Sequence, residues 1–307
     1  MTEEQLAVFI GSGVRLAMPI LLAGTGELLS ERAGVLNLSL EGMMLSAAFA
    51  AAAASWATGM PVIGLLAAVM VSLGFAFVQA VLSVSLRANQ LVVGIGFNIL
   101  ALGATTFLYR QIFGPLSRDT IPGLQRLHVP WLSDIPVLGP ALFQQTALAY
   151  VAVLMVAVTW AVLKYTSFGL AVRAVGDDPR AADQAGIHVT RTRYLGVLYA
   201  GVMAGLGGAF MSIADSNTFT EGMTNGAGYL AITAVIFGGW SPWKTLGACL
   251  LFGFATALQF LVPAMGLNIA VAPLLMLPYV LALFAIAGLV GVGRQPMALT
   301  LPFRRGH

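Results

Sequence analysis

The chain has 307 residues, of which 59% are apolar and 9% charged, against about 25% charged in a soluble domain. So few charges cannot cover a surface facing water, which excludes a soluble enzyme, a disordered chain and a nucleic-acid binder; the mean hydropathy of +0.90 agrees. The net charge of +3 arises from fifteen basic residues, which read as topology markers rather than as an anion-binding surface.

A bilayer core of about 30 Å needs roughly 20 apolar residues in a helix. Nine segments are read as crossings, in chain order: Leu6–Leu29, Leu38–Ala57, Val62–Leu86, Leu91–Leu108, Leu142–Leu163, Tyr194–Ala214, Ala227–Trp240, Leu246–Val262 and Ile269–Val290. The seventh is short. No strand alternation is sustained, so a barrel is excluded and the expected fold is all-α. It is a polytopic helical membrane protein of about 8–10 spans, in a single transmembrane domain over 1–307. The start "MTEEQ" lacks the basic region of a cleaved signal, so the first segment is expected to stay as a span. Cys249 is alone and forms no intrachain disulfide.

Basic residues orient the spans. Arg173, Arg180, Arg191 and Arg193, with Lys164, mark the loop 165–193 as cytoplasmic, and Arg294, Arg304 and Arg305 do the same for the C-terminus. Arg32, Arg87 and Lys244 then also fall inside. Arg110, Arg118 and Arg126 fall outside, in an extracytoplasmic loop over 109–141 rich in Pro and Gly, with Trp131 suited to an interface. The N-terminus is expected outside. Arg15 lies within the first span and either snorkels or pairs with an acid such as Glu27.

Two places interrupt the apolar pattern. "GELLSERAGVLNLSLEGMM", Gly26 to Met44, holds Glu27, Glu31, Arg32, Asn37 and Glu41; "ADSNTFTEGMTNGAG", Ala214 to Gly228, holds Asp215, Asn217, Glu221 and Asn225. Asn37-x-x-x-Glu41-Gly42-Met43 matches Asn217-x-x-x-Glu221-Gly222-Met223 at four of seven positions, 180 residues apart. Paired interruptions in two halves point to a transporter's substrate site, and the predicted topology puts them on opposite sides, as in an inverted repeat. Chance similarity is the competing reading. Asn37, Glu41, Asn217, Glu221 and the mid-span Asn98 are the candidate substrate-path residues. For Glu41 and Glu221 the alternative role is N-terminal helix capping, and for Asn98 an interhelical hydrogen bond.

In "AVRAVGDDPRAADQAGIHV", Asp at the cap, Pro179 at the first helical position and Gly186 after the end predict a short helix over Pro179–Ala185. Such a helix either docks a partner or is a plain surface helix. "GVMAG" and "GLGG", within Gly201 to Gly208, permit close helix approach. No phosphate-binding G-x-x-x-x-G-K-[ST] occurs, and His128, His188 and His307 are dispersed, so no metal site and no reactive cluster of an enzyme is expected.

"GELLSERAGVLNLSLEGMM" with "RAVGDDPRAADQAGI" resembles the permease subunits of ABC importers of the branched-chain amino acid and simple-sugar superfamily, in its nucleoside-type branch. "GAGYLAITAVIFGGWSPWKTLGACLLFG" is similar too, and the likeness runs from about Pro19 to Val290. The resemblance implies a partner set: a cytoplasmic ATPase, a second homologous permease, identical or distinct, and an extracytoplasmic solute-binding protein. It implies a bacterial inner-membrane location, ATP bound by the partner alone, no cofactor on this chain, and coupling through Gly176, Asp177, Asp178, Pro179 and Arg180. The expected activity is ATP-driven import of a nucleoside-like or simple-sugar solute. A passive channel or ion-coupled carrier for small polar solutes is the alternative.

Overall fold

The computed structural model describes residues 3–114, 120–128, 130–133, 135–264, 271–284, 287 and 295–304. Arg118, Arg294, Arg305, His307 and parts of the ninth predicted span lie outside the described residues. The helices are α1 (Glu3–Arg32), α2 (Leu40–Thr58), α3 (Pro61–Ala80, extended by a π-helical turn over Val81–Ser85), α4 (Gln90–Ile112), α5 (Leu138–Leu142) and α6 (Ala147–Tyr165). They continue as α7 (Ser167–Asp177), α8 (Pro179–Gln184), α9 (Val189–Ala209, extended by a π-helical turn over Phe210–Ser216), α10 (Ala227–Phe237), α11 (Pro242–Ala264) and α12 (Val271–Phe284).

Seven of these helices are long and apolar enough to cross a membrane, and two shorter apolar ones, Ala227–Phe237 and Pro273–Phe284, accompany them. Among the described residues, the nine predicted segments therefore fall on apolar helices, the ninth over Val271–Phe284 only, and two of them need larger amendments. The first span does not stop at Leu29: α1 runs on to Arg32, so Glu27 and Glu31 are helical and fully buried. The seventh is a half-span. Eleven residues of α10 rise only about 16 Å at 1.5 Å each, about half a bilayer core.

The bundle is built around α1 and α9. α1 packs on α9 and α11, and α9 packs on α3 and α2. The small residues of "GVMAGLGG" allow this: a Cβ on Gly201 would run into Ala76, and one on Gly208 into the Met44 carbonyl. Ser72 Oγ donates to Gly201 O across the α3–α9 contact (2.6 Å). α4 is different. Leu91, Val92, Ile95, Ile99, Leu102 and Phe107 are all exposed along it, a surface suited to lipid or to another apolar chain.

Basic residues gather at one end. Arg32 Nε and Nη2 donate to Trp240 O (3.0 and 2.8 Å). Residues 295–304 cross this end as a strap: Ala298 N donates to Gly176 O (2.8 Å) and Thr300 N to Gly34 O (3.2 Å). Arg193 Nη1 donates to Leu301 O (2.9 Å) and Arg87 Nε to Phe303 O (3.1 Å). At the far end Ile121 N donates to Asn217 O (2.9 Å) and Ser55 Oγ to Pro122 O (2.5 Å). Arg15 does not pair with Glu27; its Nε lies 2.8 Å from Asp215 Oδ1, because α9 brings an acid to the α1 face on which Arg15 stands.

Gly208→Ala is expected to lower stability by about 1–3 kcal/mol through overpacking against a backbone carbonyl. Gly247→Ala, on α11 with nothing within 4 Å of the added Cβ, is expected to be neutral or slightly stabilising. Thermal unfolding of the two variants in one detergent checks the contrast.

Candidate functional site

The two polar interruptions meet at Glu41. After α1, residues 33–39 turn back into the bundle, held by Glu27 Oε1, which accepts from Asn37 N (2.8 Å), and by Gln90 Oε1, which accepts from Leu36 N (2.9 Å). α2 then begins, with Glu41 in its first turn. The Glu41 carboxylate accepts from Thr224 Oγ1 (2.6 Å), Gly226 N (2.9 Å) and Gly228 N (2.7 Å). It thus covers the N-terminus of α10, where unpaired amides and the helix dipole favour a negative charge. A Cβ on Gly228 would fall 2.5 Å from Glu41 N, so the approach requires glycine there. Of the two roles open from sequence, Glu41 caps a helix, but the helix belongs to the other half.

Asn98 fastens the same point from α4. Its Oδ1 accepts from Gly42 N (2.8 Å), and its Nδ2 donates to Leu38 O (2.9 Å) and Tyr229 Oη (2.7 Å). By helix rise, Asn98 lies about 21 Å below the far end of α4, and Gly228 about 14 Å above the end of α10. Two helices running in opposite directions thus begin near mid-bundle, the discontinuous-helix arrangement found around transported solutes.

A cleft of about 250 Å³ opens here, lined by Glu41, Gly42, Asn98, Thr224, Asn225 and Tyr229 with Leu45, Ile95, Ile99, Leu102 and Gly222. Along α4 it shares Ile99 and Leu102 with a groove of about 620 Å³ that includes Gly103, Thr106, Phe107 and Arg110. Arg110 makes a two-pronged ion pair with Glu221 at the rim (2.7 and 3.1 Å). The hydrogen bond from Arg110 holds the Glu221 carboxyl below its usual range. A depressed carboxyl pKa favours the paired state at neutral pH, and that advantage is lost as pH falls through the lowered value.

The other candidates are placed differently. Asn37 is buried behind the cleft, with Oδ1 accepting from Ser39 Oγ (2.6 Å). Asn217 stands at positive φ (50°) after the π-helical turn of α9, against the 120–124 stretch, and does not line the cleft. Glu221 caps no helix; it lies six residues before α10, and its bonds go to Arg110. The repeated seven-residue motif therefore occupies unlike positions in its two copies. Thr224, Tyr229 and Arg110 were not identified as site residues from sequence. From sequence Arg110 reads as a topology marker in the loop after the fourth span, whereas α4 runs on to Ile112 and carries it.

At the basic end, α8 forms as its cap predicts: Asp178 Oδ1 accepts from Arg180 N (2.9 Å) and Ala181 N (3.0 Å), with Pro179 in the first turn. It ends at Gln184, one residue before the predicted boundary. α7, unpredicted, leads into it, capped by Thr166 Oγ1 accepting from Gly169 N (3.0 Å). Arg180 and Asp177 are exposed, whereas Gly176 is buried, its Cα against the Arg32 carbonyl. α7 is therefore packed directly against the end of α1. There Glu31 Oε2 accepts from Trp240 Nε1 (2.6 Å), and one turn up Glu27 holds Asn37.

A family described as "Branched-chain amino acid transport system / permease component" matches residues 9–286. The chain belongs to this permease family. It is 36% identical to the guanosine ABC transporter permease protein NupQ of Bacillus subtilis over 98% of both chains. It is 38% identical to a putative glucose ABC transporter permease protein of Haloferax volcanii, TsgC13, over 87% of this chain and 80% of that one. It is 33% identical to the nucleoside ABC transporter permease protein NupC of Lactococcus lactis over 95% of each. This protein is a multi-pass permease subunit of an ABC transporter, and its relatives are transport proteins rather than enzymes.

Glu41→Ala in this permease leaves three donors without their acceptor and is expected to cost about 2–4 kcal/mol. Glu41→Gln, which keeps a carbonyl acceptor, is expected to cost roughly half as much. Thermal unfolding in detergent checks both, with the exposed Glu3→Gln as an unshifted control.

Proposed function

We propose that this permease imports a neutral, hydroxyl-rich solute of the nucleoside or simple-sugar class along the α4 face and past the Glu41–Asn98–Tyr229 cleft. The observation that carries the reading is the cleft's chemistry. Its one fixed charge, Glu41, is committed to α10, and what remains for a solute is the Asn225 amide, the Tyr229 phenol, the Thr224 hydroxyl oxygen and apolar wall. Such a lining suits sugar and ribose hydroxyls and gives a phosphate nothing to pair with. The printed names of the relatives, which include guanosine, nucleoside and glucose permeases, point the same way.

The groove on α4 is open along one side, so a polar solute needs a second permease to close the passage. An apolar, exposed α4 suits that contact. The end that gathers Arg32, Arg87, Arg180 and Arg193 is the cytoplasmic one by the positive-inside rule, in a bacterial inner membrane, with the C-terminal strap on the same side. There Gly176, Asp177, Asp178, Pro179 and Arg180 present α7–α8 to an ATPase. ATP is bound by that partner and no cofactor by this chain. A solute-binding protein delivers cargo at the far end.

Two variants test the two ends. Arg180→Glu is expected to cut ATP-dependent uptake of radiolabelled guanosine or glucose, and the accompanying ATP hydrolysis, by about tenfold or more, because like charges at an interface are costly. Gly103→Trp has open space around the new side chain and is expected to fold, to plug the groove and to stop uptake while ATP hydrolysis continues. Equal uptake by vesicles holding this chain alone, without ATP, would establish a channel or carrier instead.

A further inference from the structure

The segment between α9 and α10 is held at its two edges in different ways. Phe219 is buried and packs against the rings of Phe49 and Tyr109, with centroids 5.3 and 5.4 Å away. This fixes the segment up to that point. Gly226 is fixed on Glu41. Between them, residues 220–225 fold back on themselves through Met223 N donating to Thr220 O and Asn225 N to Gly222 O (3.1 and 3.0 Å). Gly222 and Asn225 stand at positive φ (67° and 41°). Gly222, Thr224 and Asn225 form one wall of the cleft, and Glu221 reaches across to Arg110 on the opposite wall.

The two fastenings differ in kind. The Arg110 and Glu221 side chains are 61% and 37% exposed. Water screens a pair so placed, and ordering two long side chains opposes it, so it closes without locking. The Glu41 fastening serves two backbone amides and a buried hydroxyl, groups that pay heavily for losing a partner. Tyr279 Oη adds a bond to Asn225 O from α12, on the pivot side. Between two firm anchors, Phe219 and the Glu41 fastening, the stretch that carries Glu221 has only the weak outer fastening, and it bows outward when that fastening opens.

We propose that residues 220–223 are a lid over the outer mouth of the cleft and that Arg110–Glu221 is its catch, released each time a solute enters. The proposal rests on the permease reading above. Arg110 and Glu221 act here as positioning residues and not as solute ligands. The lid controls access to Leu45, a cleft residue only 3% exposed.

The test uses the assembled transporter in proteoliposomes, with Leu45→Cys as a reporter and a membrane-impermeant maleimide added from the far, outer side. The native Cys249 is fully buried, so the chain without the reporter supplies the blank. Labelling is expected to be slow with the catch intact, faster with Glu221→Gln or Arg110→Gln, and slow again when the charges are exchanged by Arg110→Glu with Glu221→Arg. The exchanged pair is also expected to restore uptake that either single reversal lowers. A labelling rate that ignores removal of the catch overturns the lid. So does loss of uptake in the exchanged pair equal to that in the singles, which would make both side chains solute contacts. Because labelling needs no transported solute, its failure sinks the lid alone. Failure of the wild-type transporter to move guanosine or glucose with ATP would count against the permease reading instead.

Discussion

A helix that begins inside an apolar bundle exposes amides that water cannot reach, and each must find an acceptor within the protein. In this permease that requirement falls on α10, and Glu41 meets it from the other half of the chain. The remaining features of the cleft follow. α2 must start at the depth where α10 starts, so residues 33–39 must climb back into the bundle. Glu27 and Gln90 supply the bonds that hold this climbing strand, and Asn98 holds α2's first turn against α4. A carboxylate placed to satisfy backbone thus also fixes where polar groups line the cleft. The site and the fold share one cause.

The same constraint ties the cleft to the basic end. Gly176 lies against the Arg32 carbonyl, Glu31 grips the α10–α11 turn through Trp240, and Glu27 grips Asn37. α1 therefore touches α7 at one point, and the turns before α2 and after α10 at two others. These three attachments join α7 to mid-bundle through packing and hydrogen bonds alone. Close packing through Gly201 and Gly208 holds α3 and α2 against the same core.

Much of this could be read from residues alone. Apolar runs marked each apolar helix long enough to cross among the described residues, because nothing but burial in lipid explains them. Glu41 and Asn98 stood out because ionisable or amide groups are rare at such depth. Asp178 and Pro179 announced α8 through local cap chemistry, which needs no tertiary context. The failures are equally physical. The match of Asn37–Glu41 to Asn217–Glu221 promoted Asn37 and Asn217, but a side chain's surroundings depend on how many residues separate it from the next helix, and the two copies differ there. Arg110 looked like a loop marker since sequence does not reveal that Glu221 faces it. α7 was hidden because eleven amphipathic residues are too few to read as a span, and the strap by having no period at all.

The strap has a further consequence. Ala298, Thr300, Leu301 and Phe303 stitch together Gly176, Gly34, Arg193 and Arg87, which belong to four separate stretches of chain. Without the strap, the Gly176 carbonyl near the end of α7 and the Arg193 guanidinium would lose these partners. A break at 295–304 would therefore loosen this end of the bundle while leaving the apolar packing of the spans intact.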